Sequence, residues 1–181
     1  MVRRHLFESL LVCAVAVVAV QARAADTFTA TATVKGTGRS APLTVTLTRF
    51  ATDGERQALL AALKKGGNDA ARALLSQKPD AGSVQVGSNA TVVKYAYDEH
   101  VGSNRVITVV TAAPIHFVGG DVPNARLKLG YNLGVIQMDL SATPGTGAAA
   151  PAAKVAVDKQ DAIIIEDYGA EEIVLSNIVK K

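Results

Sequence analysis

Two periodicities divide the chain. Phe28, Ala30, Ala32 and Val34 alternate with Thr27, Thr29, Thr31 and Thr33, and Leu43, Val45 and Leu47 alternate with Thr44, Thr46 and Thr48. A period of two places successive side chains on opposite faces, so both runs predict half-buried strands whose threonines face solvent. Apolar runs at 84–86, 92–97, 106–112, 154–157 and 162–165 predict further strands, and Ile173, Leu175 and Ile178 close the chain. Leu127, Leu129, Tyr131 and Leu133 occupy odd positions, whereas Ile136, Met138 and Leu140 occupy even ones. The buried face therefore switches at Gly134. A glycine-centred bulge in one bent strand would make that switch, and a break into two strands is the alternative.

Only the stretch from Thr52 to Pro79 has helical spacing. Thr52-Asp53-Gly54-Glu55 fits a capping box, and Leu59, Leu60 and Leu63 share one face. Gly66-Gly67 suits a left-handed cap, Asn68 suits the start of a second helix carrying Leu74 and Leu75, and Pro79 ends it. The sequence thus predicts an α+β, mainly β domain. It is a curled antiparallel sheet or barrel-like sandwich of about eight to ten strands, with one helical hairpin over about residues 52–78 packed on a side or an end.

Loop chemistry refines this outline. Val-Gly-Ser-Asn occurs at 86–89 and again at 101–104, which predicts two similar turns. Residues 36–41 and 145–150 match a glycine-rich dinucleotide-binding pattern, but Pro42 and Pro151 follow where a phosphate-binding helix would have to start. Both are read as loops, the second running from Pro144 to Pro151.

Arg3 and Arg4, the apolar run Leu10 to Val20, and Ala22-Arg23-Ala24 before Ala25 have the order of a secretory signal peptide. Eleven apolar residues fall short of the roughly 20 needed to cross a bilayer, so no stable membrane span is expected. The paired arginines also admit a twin-arginine export signal. Residues 1–24 are expected to leave with the only cysteine, Cys13, which makes residues 25–181 a single disulfide-free domain in the periplasm or outside the cell. Taking Arg3, Arg4, Arg23 and Glu8 from 19 basic and 16 acidic residues leaves 16 and 15. That near-neutral balance argues against a nucleic-acid partner, which selects a clustered basic face.

Few residues suggest chemistry. Asp98, Glu99 and His100, with Ser103 and Asn104 nearby, are the densest polar group and the candidate metal ligands, but hairpin tips are polar because they are solvated, and a solvated tip is the expected reading. His116 with Asp121, or His100 with His116, would be further metal pairs. Glu166, Asp167, Glu171 and Glu172 form an acidic patch that lacks the calcium-loop spacing and reads as a charged turn guarding a strand edge. No nucleophile-elbow, zincin, phosphate-loop or paired-cysteine motif occurs. No catalytic residue and no cofactor are assigned.

Arg49-Phe50-Ala51-Thr52-Asp53-Gly54-Glu55-Arg56 leading into Leu59-Leu60, Pro114-Ile115-His116-Phe117, and Ile165-Glu166-Asp167-Tyr168-Gly169 before Val174-Leu175 resemble segments of a family of exported bacterial proteins with no assigned activity. The resemblance implies an exported β-rich fold and carries over no site residues. The expected function is a non-enzymatic binding or interaction module whose partner is another envelope or secreted protein. One alternative is a carrier of a small apolar ligand in a barrel cavity lined by Tyr95, Tyr97, Tyr131 and Phe117. With Phe, Trp and Tyr at 4% of the chain, a filled core is favoured over aromatic walls. The other alternative is a metal-dependent enzyme using Asp98, Glu99 and His100.

Overall fold

The computed structural model describes residues 25–117, 129–169 and 171–181. Residues 1–24, read above as a signal peptide, lie outside them, as do Asp121 and Leu127. Among the described residues, ten strands and one helix follow in the order β1 (Asp26–Val34), β2 (Ser40–Leu47), α1 (Asp53–Ser76), β3 (Gly82–Val86), β4 (Asn89–Val93), β5 (Tyr95–Val101), β6 (Asn104–Thr111), β7 (Leu133–Asp139), β8 (Gly145–Val157), β9 (Ile163–Asp167) and β10 (Ile173–Lys180).

The sheet runs β4-β3-β2-β1-β10-β8-β7-β6-β5 with β9 branching from β8, and every pairing is antiparallel. Its two ends are consecutive in sequence. β4 pairs with β3, β5 pairs with β6, and the Lys94 amide between them donates to the Val110 carbonyl at 3.1 Å. One bent stretch of chain thereby brings the sheet close to a closed barrel, which leaves little unpaired edge. Inward side chains including Phe28, Val45, Val84, Ile107, Ile136, Met138 and Leu175 fill it.

A second apolar cluster lies outside the barrel. Leu59, Leu60, Leu63, Ala71 and Leu75 of α1 cover Tyr95, Val110, Leu133, Val135, Ala150, Val155 and Ile163. This explains the parity switch read at Gly134. Leu133 and Val135 face the helix, Ile136 and Met138 face the barrel, and β7 is one unbroken strand buried on both sides. An irregularity does sit at Gly134, where the β7–β8 register shifts between Leu133 and Val135 with the extra residue on β8. Leu129 precedes that strand in a turn and is almost fully exposed. Gly134 is needed for proximity: a Cβ there would come within 2.5 Å of Thr111 Oγ1, which accepts its amide at 3.0 Å.

The loop expected at residues 144–151 is instead the first half of the longest strand. β8 joins β10 and β7 on its two sides, then continues past the barrel to carry β9. Its small residues allow close backbone approach, since a Cβ on Gly147 would overlap the Gln137 carbonyl oxygen. Pro151 falls where the β7 register slips between Leu133 and Val135, a place where a missing amide costs no ladder bond.

The helical segment holds with one change. Thr52 and Glu55 form the capping box, and Gly66 and Gly67 break the helical dihedrals, but the two halves follow each other as one kinked helix. Asn68 does not serve as the expected cap; it is buried against β8. Both Val-Gly-Ser-Asn repeats form two-residue hairpin loops, with Gly87 and Gly102 at positive φ in the first central position, as type II′ turns require.

Candidate functional site

Asp98, Glu99 and His100 are not at a hairpin tip. They lie inside β5, opposite Ile107, Val106 and Arg105, and the tip is Gly102-Ser103. Strand alternation sends Asp98 and His100 to one face and Glu99 to the other. Asp98 accepts two bonds from Arg105, at 3.0 and 2.8 Å, and lies 3.2 Å from His100 Nε2. Burial works against the charge on Asp98, but the Arg105 guanidinium outweighs it and holds the carboxyl below its usual range. Glu99 faces the helix, 3.8 Å from Arg56. The three candidate ligands therefore do not converge, and the best placed is already occupied by a guanidinium. Among the described residues no three His, Cys, Asp or Glu side chains are grouped to hold a metal ion. His116 is exposed beyond the opposite end of β6 from His100. Its expected companion Asp121 lies outside the described residues.

The aromatic residues offered as cavity walls are likewise dispersed. Tyr95 and Tyr97 point away from the barrel interior toward α1, with their rings stacked 6.4 Å apart. Tyr97 donates to Asp53 at 2.9 Å beneath the Arg56 guanidinium, and that hydrogen bond with burial raises its hydroxyl above the ordinary value. Tyr131 donates to Asp167 at 2.7 Å, and Phe117 packs on the barrel core. The acidic patch is divided among separate partners: Glu166 pairs with Lys154, and Glu172 with Lys35.

An open cleft of about 530 Å³ lies at the kink of α1, lined by Leu63, Gly67, Asn68, Leu129, Lys154 and Val155 among others. Leu63, Leu129, Val155 and Val157 give it apolar surface. The charged groups around it are already partnered, Lys64 with Asp161, Lys154 with Glu166, and Asp69 with Asn132.

The half of the barrel that α1 leaves uncovered differs in kind. Outward positions there are Ala90 and Val92 on β4, Ser83 and Gln85 on β3, Pro42, Thr44 and Thr46 on β2, Thr27, Thr29, Thr31 and Thr33 on β1, and Val174, Ser176 and Val179 on β10. The register sets Thr27 against Thr46 and Thr29 against Thr44. None of these residues carries a charge, although Asp, Glu, Lys and Arg are 19% of the chain. The threonine alternation signalled this face in β1 and β2, while its extension across β3, β4 and β10 depends on strand order.

Compared with protein-family models, curated proteins and solved structures, the chain finds no match.

Proposed function

We propose that the protein is an exported, non-enzymatic binding module of the bacterial envelope or extracellular space, engaging another protein through the uncharged face of β4, β3, β2, β1 and β10. The observation that carries this reading is the lack of charge at the outward positions of five adjacent strands. Removing hydroxyls and methyls from water costs far less than removing ammonium or carboxylate groups, and the centres of protein interfaces are depleted of charge for that reason. Polar groups that could perform chemistry are instead consumed in pairs, Asp98 by Arg105 and Glu55 by Arg49.

The test is recovery of the protein from its own compartment with whatever it binds. A partner retained by the wild type and lost when Thr29 and Thr44 are replaced by lysine, with the circular dichroism unchanged, supports the reading. Equal retention by both proteins overturns it.

A second reading, carriage of a small apolar ligand, draws on the cleft beside Gly67 rather than on the packed barrel. A stoichiometric small molecule in native mass spectrometry, displaced by Leu63→Trp, would put that reading first.

A further inference from the structure

We infer that the occupant of the uncharged face is a second copy of this chain, bound through a two-fold axis. This rests on the interaction reading above and names its partner. Most oligomers of identical chains place one patch against itself, so each residue meets the patch that contains its own equivalent. A charged patch used this way must oppose like charges unless they are finely interleaved. The face of β4, β3, β2, β1 and β10 carries no charge to oppose, whereas α1 exposes Lys64, Lys65, Asp69 and Arg72 on the other side of the molecule.

Exposed apolar side chains concentrate here as well. Among the described residues the exposed large hydrophobics are Val92, Leu129, Ile164, Val174 and Val179, at 46, 96, 39, 41 and 44%. Val92, Val174 and Val179 all belong to this face, flanking the threonine rows of β1 and β2. Methyl-bearing threonine and valine offer short-range packing without electrostatic selectivity, which suits a surface that is its own complement.

The area suits a weak dimer. Laid flat, five strands about 4.8 Å apart and about 25 Å long cover roughly 500 Å². Curvature of the barrel lowers that figure and side-chain relief raises it, so two copies would bury on the order of 1,000 Å² in all, the low end for a specific interface. Thr29, Thr31 and Thr44 stand at its centre.

Sedimentation velocity of the chain beginning at Ala25, from low to high micromolar concentration, tests the inference without a variant. The expected result is a concentration-dependent shift from monomer to dimer; a monomer throughout overturns it. Two triple variants then locate the contact. T29K/T31K/T44K and T29E/T31E/T44E should each sediment as monomer, and their equimolar mixture should regain the dimer because lysine then faces glutamate across the axis. A lysine variant that still dimerises overturns the assignment to this face. A monomeric wild type that nevertheless holds a different protein, and releases it when the face is charged, overturns the second-copy inference while leaving the interaction reading intact. A monomer indifferent to these charges in every assay removes both.

Discussion

Asn68 replaces a strand backbone at the Val155 amide, on the side of β8 that β10 has left. Its Oδ1 accepts the Val155 amide at 2.9 Å, while its Nδ2 donates to the carbonyls of Ala153 and Gly130, each at 2.6 Å. β8 needs this service because it leaves β10 after Ala149 and its pairing with β9 slips between Lys154 and Val155. The kink at Gly66-Gly67 is what lowers the first residue of the following helical half onto the strand.

Asn68→Ala should therefore cost about 3 kcal/mol, because truncation leaves buried backbone groups without partners as well as removing the bonds themselves. Asn68→Leu should be no better despite its similar size, since the orphaned amide and carbonyls remain. Urea denaturation followed by circular dichroism measures both. A loss below about 0.5 kcal/mol, the range of ordinary surface changes, would show that the carboxamide is dispensable.

The Asp98–Arg105 pair predicts an acid-sensitive stability. Because the folded carboxyl is held below the unfolded value of about 3.9, its contribution is fully present above that pH. It is lost as pH falls through the lower folded value. Glu55, held down chiefly by its hydrogen bonds from Arg49 and the Thr52 amide, adds in the same direction. Melting temperature should fall on acidification below about pH 4, and Asp98→Asn should be less stable at neutral pH with a shallower acid limb. A variant parallel to the wild type through that range would remove the pair from the account.

Much of the fold is legible in the residues, and each failure has a physical source. Thr27 to Val34 and Leu43 to Thr48 read correctly because one face of β1 and β2 meets solvent and alternation survives. β7 misled because α1 covers its outer face, so that parity no longer marks inside from outside. Gly145 to Pro151 resembled a loop because close backbone approach selects small residues just as turns do. Asp98 to His100 looked like a site because three polar residues are adjacent in sequence, yet a strand separates neighbours and Arg105 arrives only through the β5–β6 register. The uncharged face needed strand order, which no local pattern records.

Replacing Asp98, Glu99 and His100 together by alanine should now cost stability through the lost Arg105 partner, with the single His100→Ala nearly neutral, within about 0.5 kcal/mol as for exposed changes. Zinc or magnesium titrated into the wild type should leave its melting temperature unmoved. A metal-induced rise that disappears in the triple variant would bring the metal-enzyme reading to the front.

Two glycines separate steric crowding from backbone strain. Gly147→Ala forces a methyl into the Gln137 carbonyl and should destabilise by several kcal/mol, in the manner of overpacking that cannot relax. Gly67→Ala meets nothing within 4 Å but must hold φ 60 and ψ −149, so its cost should be the smaller one, about 1–3 kcal/mol. Comparable losses at both positions would mean that the kink, not the close strand approach, limits stability.

Export predicts a defined mature end. β1 begins at Asp26, which is largely buried, pairs through Oδ1 with Lys180 at 2.7 Å and faces Leu47 across the β1–β2 ladder. Cleavage between Ala24 and Ala25 preserves all of this, whereas removal of two further residues would leave Lys180 without its carboxylate and shorten the pairing of β1 with β2. Intact mass of protein recovered from the periplasm or medium should therefore correspond to residues 25–181. A chain prepared to begin at Thr27 should melt lower than one beginning at Ala25. A recovered mass that retains Cys13, with or without an attached lipid, would replace the proposed cleaved, exported module by an anchored one.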